Sequence, residues 1–543
     1  MKRRRIGLAR QARLTCILAS ILAVGPLGAC VGNISDVGGS GVTDDGTGPG
    51  RGGGPGGAGD ALPTLDDLDV YSRLTKQEYR YVIGDLLVGA EPSRLAEALG
   101  QVDSFNENNY SGYYKNYDPI SAYPGLEGAQ LELARALATA FPDSLLFQEL
   151  CPSNCAGNVA DRLLPRIWKR RLATSERQEL VDLYDSFPAE QRDFYFFLRV
   201  FASPHFHYKI FAASPEDPDE ANIKNAQLLS YAITGSYPDA ELQADVDSGA
   251  VAAPGQWEHH VVRLLEAHPT RFSTLFVPQW LGMASSYESG ETYHGVPLAT
   301  VMTEPALIFS EALTEGLPIS SLFDLDFNMV NPELAPLYGS EATEAGGAWE
   351  RQALTQTLFA TAAMSYLTVD HESNNPSPIR RGSYIVNHLL CMNIAFPPSA
   401  VQEEVDRIVS GAPEGLSPPE RMAYFRSNPT CAGCHNQFDP YGLALEEVGA
   451  LGEVRDTYYT GDPIEAFGTA GDITYTDSID FSNQLAMTPT LNTCFASQVY
   501  SYLSSSPHVA ANYDIREDEE LLLTMSVSEI VARMVIRALG VNQ

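Results

Sequence analysis

Lysine is nearly missing from this chain: there are six in 543 residues, and none of them follows a glycine. A phosphate-cradling loop of the G-x-x-x-x-G-K type is therefore excluded. Neither a G-x-S-x-G elbow nor an H-E-x-x-H segment occurs, which removes the common serine-hydrolase and zinc-protease readings. Positive charge is scarce in general, with 35 Lys and Arg against 69 Asp and Glu, a net charge of −34. Six of those basic residues lie in the first thirteen positions, so the rest of the chain is more acidic still, roughly −40. That sign argues against nucleic acid and anionic lipid headgroups as partners. It suits solubility outside the inner membrane and can steer a basic redox partner.

Long apolar runs are also absent, apart from one of about eleven residues from Leu14 to Val24, too short to anchor a membrane span. Lys2, Arg3, Arg4, Arg5, Arg10 and Arg13 precede it, so residues 1–29 read as a signal peptide. The leader closes on Leu27-Gly28-Ala29-Cys30, which resembles a bacterial lipobox. Cys30 is then the lipidated N-terminus of an exported protein held on a membrane, and the expected location is the outer membrane, on its periplasmic or cell-surface face. Val31 after the cysteine lacks the aspartate typical of inner-membrane retention.

Residues 30–65 hold that cysteine and a Gly-rich stretch with nothing to build a core, expected to be a disordered tether. The tether contains Gly48-Pro49-Gly50-Arg51-Gly52-Gly53, a formal G-x-G-x-x-G. No strand precedes it and no helix follows, so it is not a dinucleotide site.

Beyond the tether the apolar pattern is helical. Thr75 and Glu78 form a capping box ahead of Tyr79, Val82, Ile83, Leu86 and Leu87, and Ser175 with Gln178 opens a second helix. Ser526 with Glu529 opens a third that runs to Gly540. Further helices are expected near 126–141, 189–202, 223–234, 257–267, 271–282, 304–315 and 351–367. The fold class is mainly α. About 480 residues are too many for one core, so two to four packed helical units are expected. The segments drawn are an N-terminal helical region 66–150, a second 151–215, a central one 216–340, a cytochrome c-like haem-binding region 341–460 and a C-terminal helical region 461–543.

Of eight cysteines, Cys16 leaves with the leader and Cys30 takes lipid. Cys151 and Cys155, four apart in CPSNC, are expected to form a local disulfide. Cys391 and Cys494 either bridge each other or remain two buried thiols. Cys431 and Cys434 are left, in CAGCH.

Three positions apart on a helix, both sulfurs share a face and can form thioethers to one haem, while His435 supplies the proximal iron ligand. A thioredoxin-like dithiol would want a βαβ setting that is not seen between Arg421 and Glu446, and zinc would need ligands that no second CxxC or paired histidine provides. A structural disulfide is the third rival. Export favours one covalent haem c.

For the distal side Met487 is the first choice, with His508, Met525 and Met534 as rivals. Without a distal ligand the iron would be five-coordinate and able to act on peroxide. Arg380 or Arg381 is a candidate for a haem propionate. His205 with His207, and His259 with His260, lack metal-ligand spacing and read as packing or surface residues.

The chain resembles planctomycete and myxobacterial exported proteins built from consecutive domains of unknown function, with a cytochrome c-like segment near the C-terminus. The resemblance rests on Arg73-Leu74-Thr75 with Glu78-Tyr79, on Trp168 to Leu172 with Glu176, on Ala202 to Phe206, on Tyr237 to Leu242 and on Gln279-Trp280-Leu281. Its most specific part is Ser377-Pro378-Ile379-Arg380-Arg381-Gly382, then Leu389-Leu390-Cys391, Pro397-Pro398, CAGCH, and Phe438 through Glu446. Thr493-Cys494-Phe495 matches the closing domain, although Ser504-Ser505-Ser506 replaces the family's Gly-Arg. In the family's pattern Asp439 and Glu446 follow the haem histidine, and hydrogen bonds to His435 or to an arginine, or plain capping and salt-bridge roles, are the expected uses.

The resemblance implies an exported haem protein and supplies no reaction. The expected function is membrane-tethered electron transfer. The alternatives are a haem-dependent oxidoreductase whose helical domains bind an extracytoplasmic substrate, and a surface binding or scaffold lipoprotein with a structural haem.

Overall fold

The computed structural model describes residues 71–105, 125–210, 218–283, 290–343, 347–353, 357–370, 373–394, 402–504 and 519–540. The leader, Cys30, the Gly-rich stretch, Pro397-Pro398 and His508 lie outside them. The described residues are mainly helical, with five two-stranded antiparallel ribbons. None of these helices is long and apolar enough to cross a membrane.

Two large apolar cores organise the described residues. The first runs from Leu74 to Phe206 and takes in Tyr231 and Tyr237. Helix Leu126–Ala140 packs on helix Arg192–Phe201, around Phe141, Phe196, Phe197 and Phe201. The second core runs from Ile223 to Leu539. In it, helix Pro269–Trp280 packs on helix Leu298–Thr314, where Phe276 stacks on Trp280 and both meet Phe309 and Phe495 edge to face or tilted. A third, smaller cluster gathers Ile408, Met422, Phe425 and Cys431.

Two of the three capping signals act at the residues that carry them. Thr75 accepts from the Glu78 backbone and Glu78 returns a bond to Thr75, and Ser526 with Glu529 does the same. The Glu78 carboxylate has a second role. Its other oxygen takes the buried Lys209 ammonium at 2.8 Å, tying the ribbon Tyr71–Arg73 with Tyr208–Ile210 to the first helix.

Two expectations are corrected. The helix assigned to Ser175 begins at Thr174, with Ala173 at the N-cap and no side-chain cap. The helix expected at 351–367 forms only over Ala362–Thr368. Residues Glu350–Gln352 instead pair as a strand with Asn328–Val330, and Thr357 and Thr361 each turn a side chain onto the backbone, so the helix starts after the second cap.

A buried carboxyl sets a pH dependence. Glu304 is fully buried, accepting from Tyr338 at 2.6 and 2.8 Å and from Asn328 at 2.7 Å, while the Tyr338 hydroxyl also receives the Ala362 amide. Burial lifts this carboxyl from 4.5 to about 7, more than the hydrogen bonds lower it. Folding therefore takes up a proton there. The contribution is complete below the unfolded pKa and is lost as pH rises through 7. Denaturant melts should lose roughly 3 kcal/mol between pH 5 and pH 8 from this group, and Glu304→Gln should flatten that slope. An unchanged slope in the variant would place the dependence elsewhere.

Candidate functional site

The segment CAGCH lies in helix Pro429–Leu443. Asn428 caps the helix, its side chain accepting from the Thr430 amide at 2.9 Å, and Pro429 occupies the first turn, where no donor is needed. Cys431 packs against Ile408, Met422 and Phe425. Burial pushes its thiol upward. Neither disulfide takes Cys431 or Cys434.

One turn after the histidine, Asp439 is fully buried with its Oδ1 2.9 Å from His435 Nδ1. Burial raises the Asp439 carboxyl, and the bond to His435 works in the opposite direction. Arg426 stands 3.7 Å from its second oxygen, which accepts no hydrogen bond among the described residues. The pairing holds the imidazole through Nδ1, so Nε2 is the ring nitrogen that this bond does not use. Phe425 and Phe438 flank the ring, with centroids 5.2 and 4.8 Å away.

Helix Pro378–Tyr384 crosses this helix at two glycines. A Cβ on Gly382 would stand 2.0 Å from the Phe438 carbonyl oxygen, and one on Gly442 would stand 1.8 Å from that of Pro378. Only glycine permits so close an approach. The two most specific stretches of the sequence, Ser377 to Gly382 and Phe438 to Glu446, are thus each other's packing partners.

A cavity of about 710 Å³ opens beside the crossing. Cys431, Cys434, His435 and Phe438 line it from one helix, and Ile379, Arg380, Ser383 and Tyr384 from the other. Asn387, His388 and Ile394 complete much of the rest. The size is that of a small-molecule or cofactor site.

Among the described residues no three His, Cys, Asp or Glu converge closely enough to hold a bare metal ion. The donor set suits a haem instead: two thiols and an imidazole on one helix, a second imidazole, apolar walls and one arginine.

The structure separates the two neighbouring arginines. Arg381 is buried and donates to the Leu445 and Gly449 carbonyls at 2.6 and 3.1 Å, which makes it a brace. Arg380 lines the cavity. Glu446 is buried and bound by Arg455 at 2.7 Å, away from His435.

Met487 does not line the cavity. It ends helix Ser478–Ala486 with its side chain 56 % exposed, because the chain turns there into the next helix at Pro489. Met534 is buried in the second core, and Met525 packs against it.

Sequence reasoning passed over His388. Its signal was a spacing: Arg380, Tyr384 and His388 recur every fourth residue, and all three line the cavity. The His388 ring stacks on Tyr384 at 4.8 Å, and Tyr384 in turn donates to the Leu281 carbonyl at 3.0 Å. Burial pushes His388 down to about 4, so it is neutral at pH 7.

Disulfides join Cys151 to Cys155 and Cys391 to Cys494. The second closes a separation of 103 residues and ties the chain just after His388 to helix Pro489–Ser504. His207 bonds Tyr79, and His260 sits between Asp245 and Arg263. His205 meets Arg170, and His259 lies 3.7 Å from Glu241. Of the basic cluster, Arg166 donates to the Pro238 carbonyl, Lys169 to three carbonyls, Arg170 to Glu176, and Arg171 reaches Asp219 and Asp247.

Residues 221–340 match the family model PSD4, described as a protein of unknown function (DUF1592). Residues 358–458, which contain the glycine crossing, His388 and CAGCH, match PSCyt3, a protein of unknown function (DUF1588). No curated protein matches the chain, and no solved structure matches it.

Proposed function

We propose that this chain is an exported lipoprotein, anchored through Cys30, that carries one haem c and transfers electrons. One observation supports the reading most: Cys431, Cys434 and an aspartate-held His435 line a single cofactor-sized cavity. The cytochrome-like name of the matching C-terminal family model points the same way.

A bound haem supplies a reversible one-electron couple. The protein's own residues do the rest. Cys431 and Cys434 bind the two vinyl positions, and His435 binds iron through Nε2 while Asp439 holds its ring and raises its basicity. Phe438, Ile379 and Leu367 supply apolar wall for the macrocycle, and Arg380 is placed to pair with a propionate. The acidic surface steers a basic redox partner.

The test is expression of the full chain in a host with haem c maturation machinery. Purified protein should gain the mass of one haem and retain it under denaturation, and Cys431→Ser with Cys434→Ser should reduce covalent haem to background. Wild-type protein free of covalent haem, beside a control cytochrome that matures, would refute the assignment. Cys30→Ser should move the protein from the membrane to the soluble fraction.

A further inference from the structure

We infer that His388 is the second axial ligand of the haem, an inference that rests on the haem reading above. The argument begins with what shares the cavity. Of the side-chain types that bind haem iron axially, the described lining residues offer His435, whose neighbouring thiols commit it to the proximal side, Tyr384, whose hydroxyl is spent on the Leu281 carbonyl, and one more imidazole, His388. No methionine is among them. Of the other candidates, Met487 is exposed and outside the lining, Met525 lines a different cavity, and Met534 is buried without reaching this one, while His508 lies outside the described residues.

His388 is also positioned as a ligand needs to be. Tyr384 stacks against one face of the ring, with an interplanar angle of 22°. Gly282 sits at its edge, at φ +68°, so close that a Cβ there would stand 3.1 Å from His388 Cε1. Just beyond, Asn387 accepts the Ile394 amide at 2.6 Å, and Cys391 is bonded to Cys494. The backbone carrying the imidazole is therefore fixed on both sides before any cofactor arrives. Preorganised ligands of this kind are found where a metal must keep its coordination through a redox cycle, since little rearrangement accompanies the electron.

Two histidines make the iron six-coordinate and low-spin in both oxidation states. They give a lower potential than a histidine–methionine pair and leave no position for peroxide or carbon monoxide. The chain would then be a carrier, and the catalytic alternative would fall away.

The test uses the intact haem-loaded protein. The wild type should give low-spin spectra in both states and not respond to carbon monoxide. His388→Ala should keep its covalent haem, turn high-spin, bind carbon monoxide, and recover the low-spin spectrum with added imidazole. His388→Met, which retains bulk and a ligand, should stay low-spin with a raised potential. Met487→Ala should leave the spectrum unchanged.

An unaltered spectrum in His388→Ala overturns the assignment. Should that variant fail to fold, an unaltered potential in His388→Met overturns it equally. Absence of covalent haem from the wild type is a different result, and refutes the underlying haem reading instead.

Discussion

Gly442→Ala is expected to lower stability by about 3 kcal/mol or more and to abolish haem incorporation. The added carbon would lie 1.8 Å from the Pro378 carbonyl oxygen, and the obstacle is backbone, which cannot swing away as a side chain can. Helix Pro429–Leu443 and helix Pro378–Tyr384 would have to part, and they form most of the cavity wall. Gly382→Ala should act in the same way, with a Cβ 2.0 Å from the Phe438 carbonyl oxygen.

Because both glycines serve one crossing, the double variant should cost less than the sum of the single ones. Gly100→Ala is the matched control. It lies in helix Pro92–Asp103 with nothing within 4 Å, and should stabilise by about 0.5–1 kcal/mol through helix propensity alone. Urea midpoints measure all four. A wild-type midpoint for Gly442→Ala would disprove the close crossing.

Arg381→Met is expected to cost about 3–5 kcal/mol, although methionine fills similar space. The guanidinium spans two carbonyls, those of Leu445 and Gly449, and its charge faces the buried Glu446. Burial pushes Arg381 down to about 10, so it stays charged at neutral pH, and burial pushes the Glu446 carboxyl upward. Without Arg381 the Leu445 and Gly449 carbonyls each lose one donor and keep only the Val448 and Gly452 amides, and Glu446 keeps Arg455.

Arg381→Lys should recover part of the loss, since an ammonium replaces the charge and cannot span both carbonyls. Arg380→Met, on the cavity wall, should leave the urea midpoint within about 0.5 kcal/mol of wild type. Equal effects from the two arginines would contradict the division of roles.

Much of the site was legible before any coordinates. CAGCH is legible as a cluster, because two thiols and an imidazole fall within five residues, and the structure places them on one helix beside one cavity. The i, i+4 link from His435 to Asp439 follows from helix geometry once a helix is assumed. The capping boxes at Thr75 and Ser526 were readable for the same reason, while the helix expected at 351–367 failed because pairing with Asn328–Val330 competes with a local pattern.

The sequence by itself determined what one or two turns of chain decide: an acidic, mainly helical protein in which two thiols and an imidazole fall within five residues. Only the tertiary structure decided which residues meet it. The place of His388, and not Met487, on the cavity wall, the division of Arg380 from Arg381, and the glycine crossing all depend on partners far along the chain, 64 residues apart for Arg381 and Leu445. Such meetings arise from the packing of whole helices, and a spacing rule reaches only as far as the element that contains it.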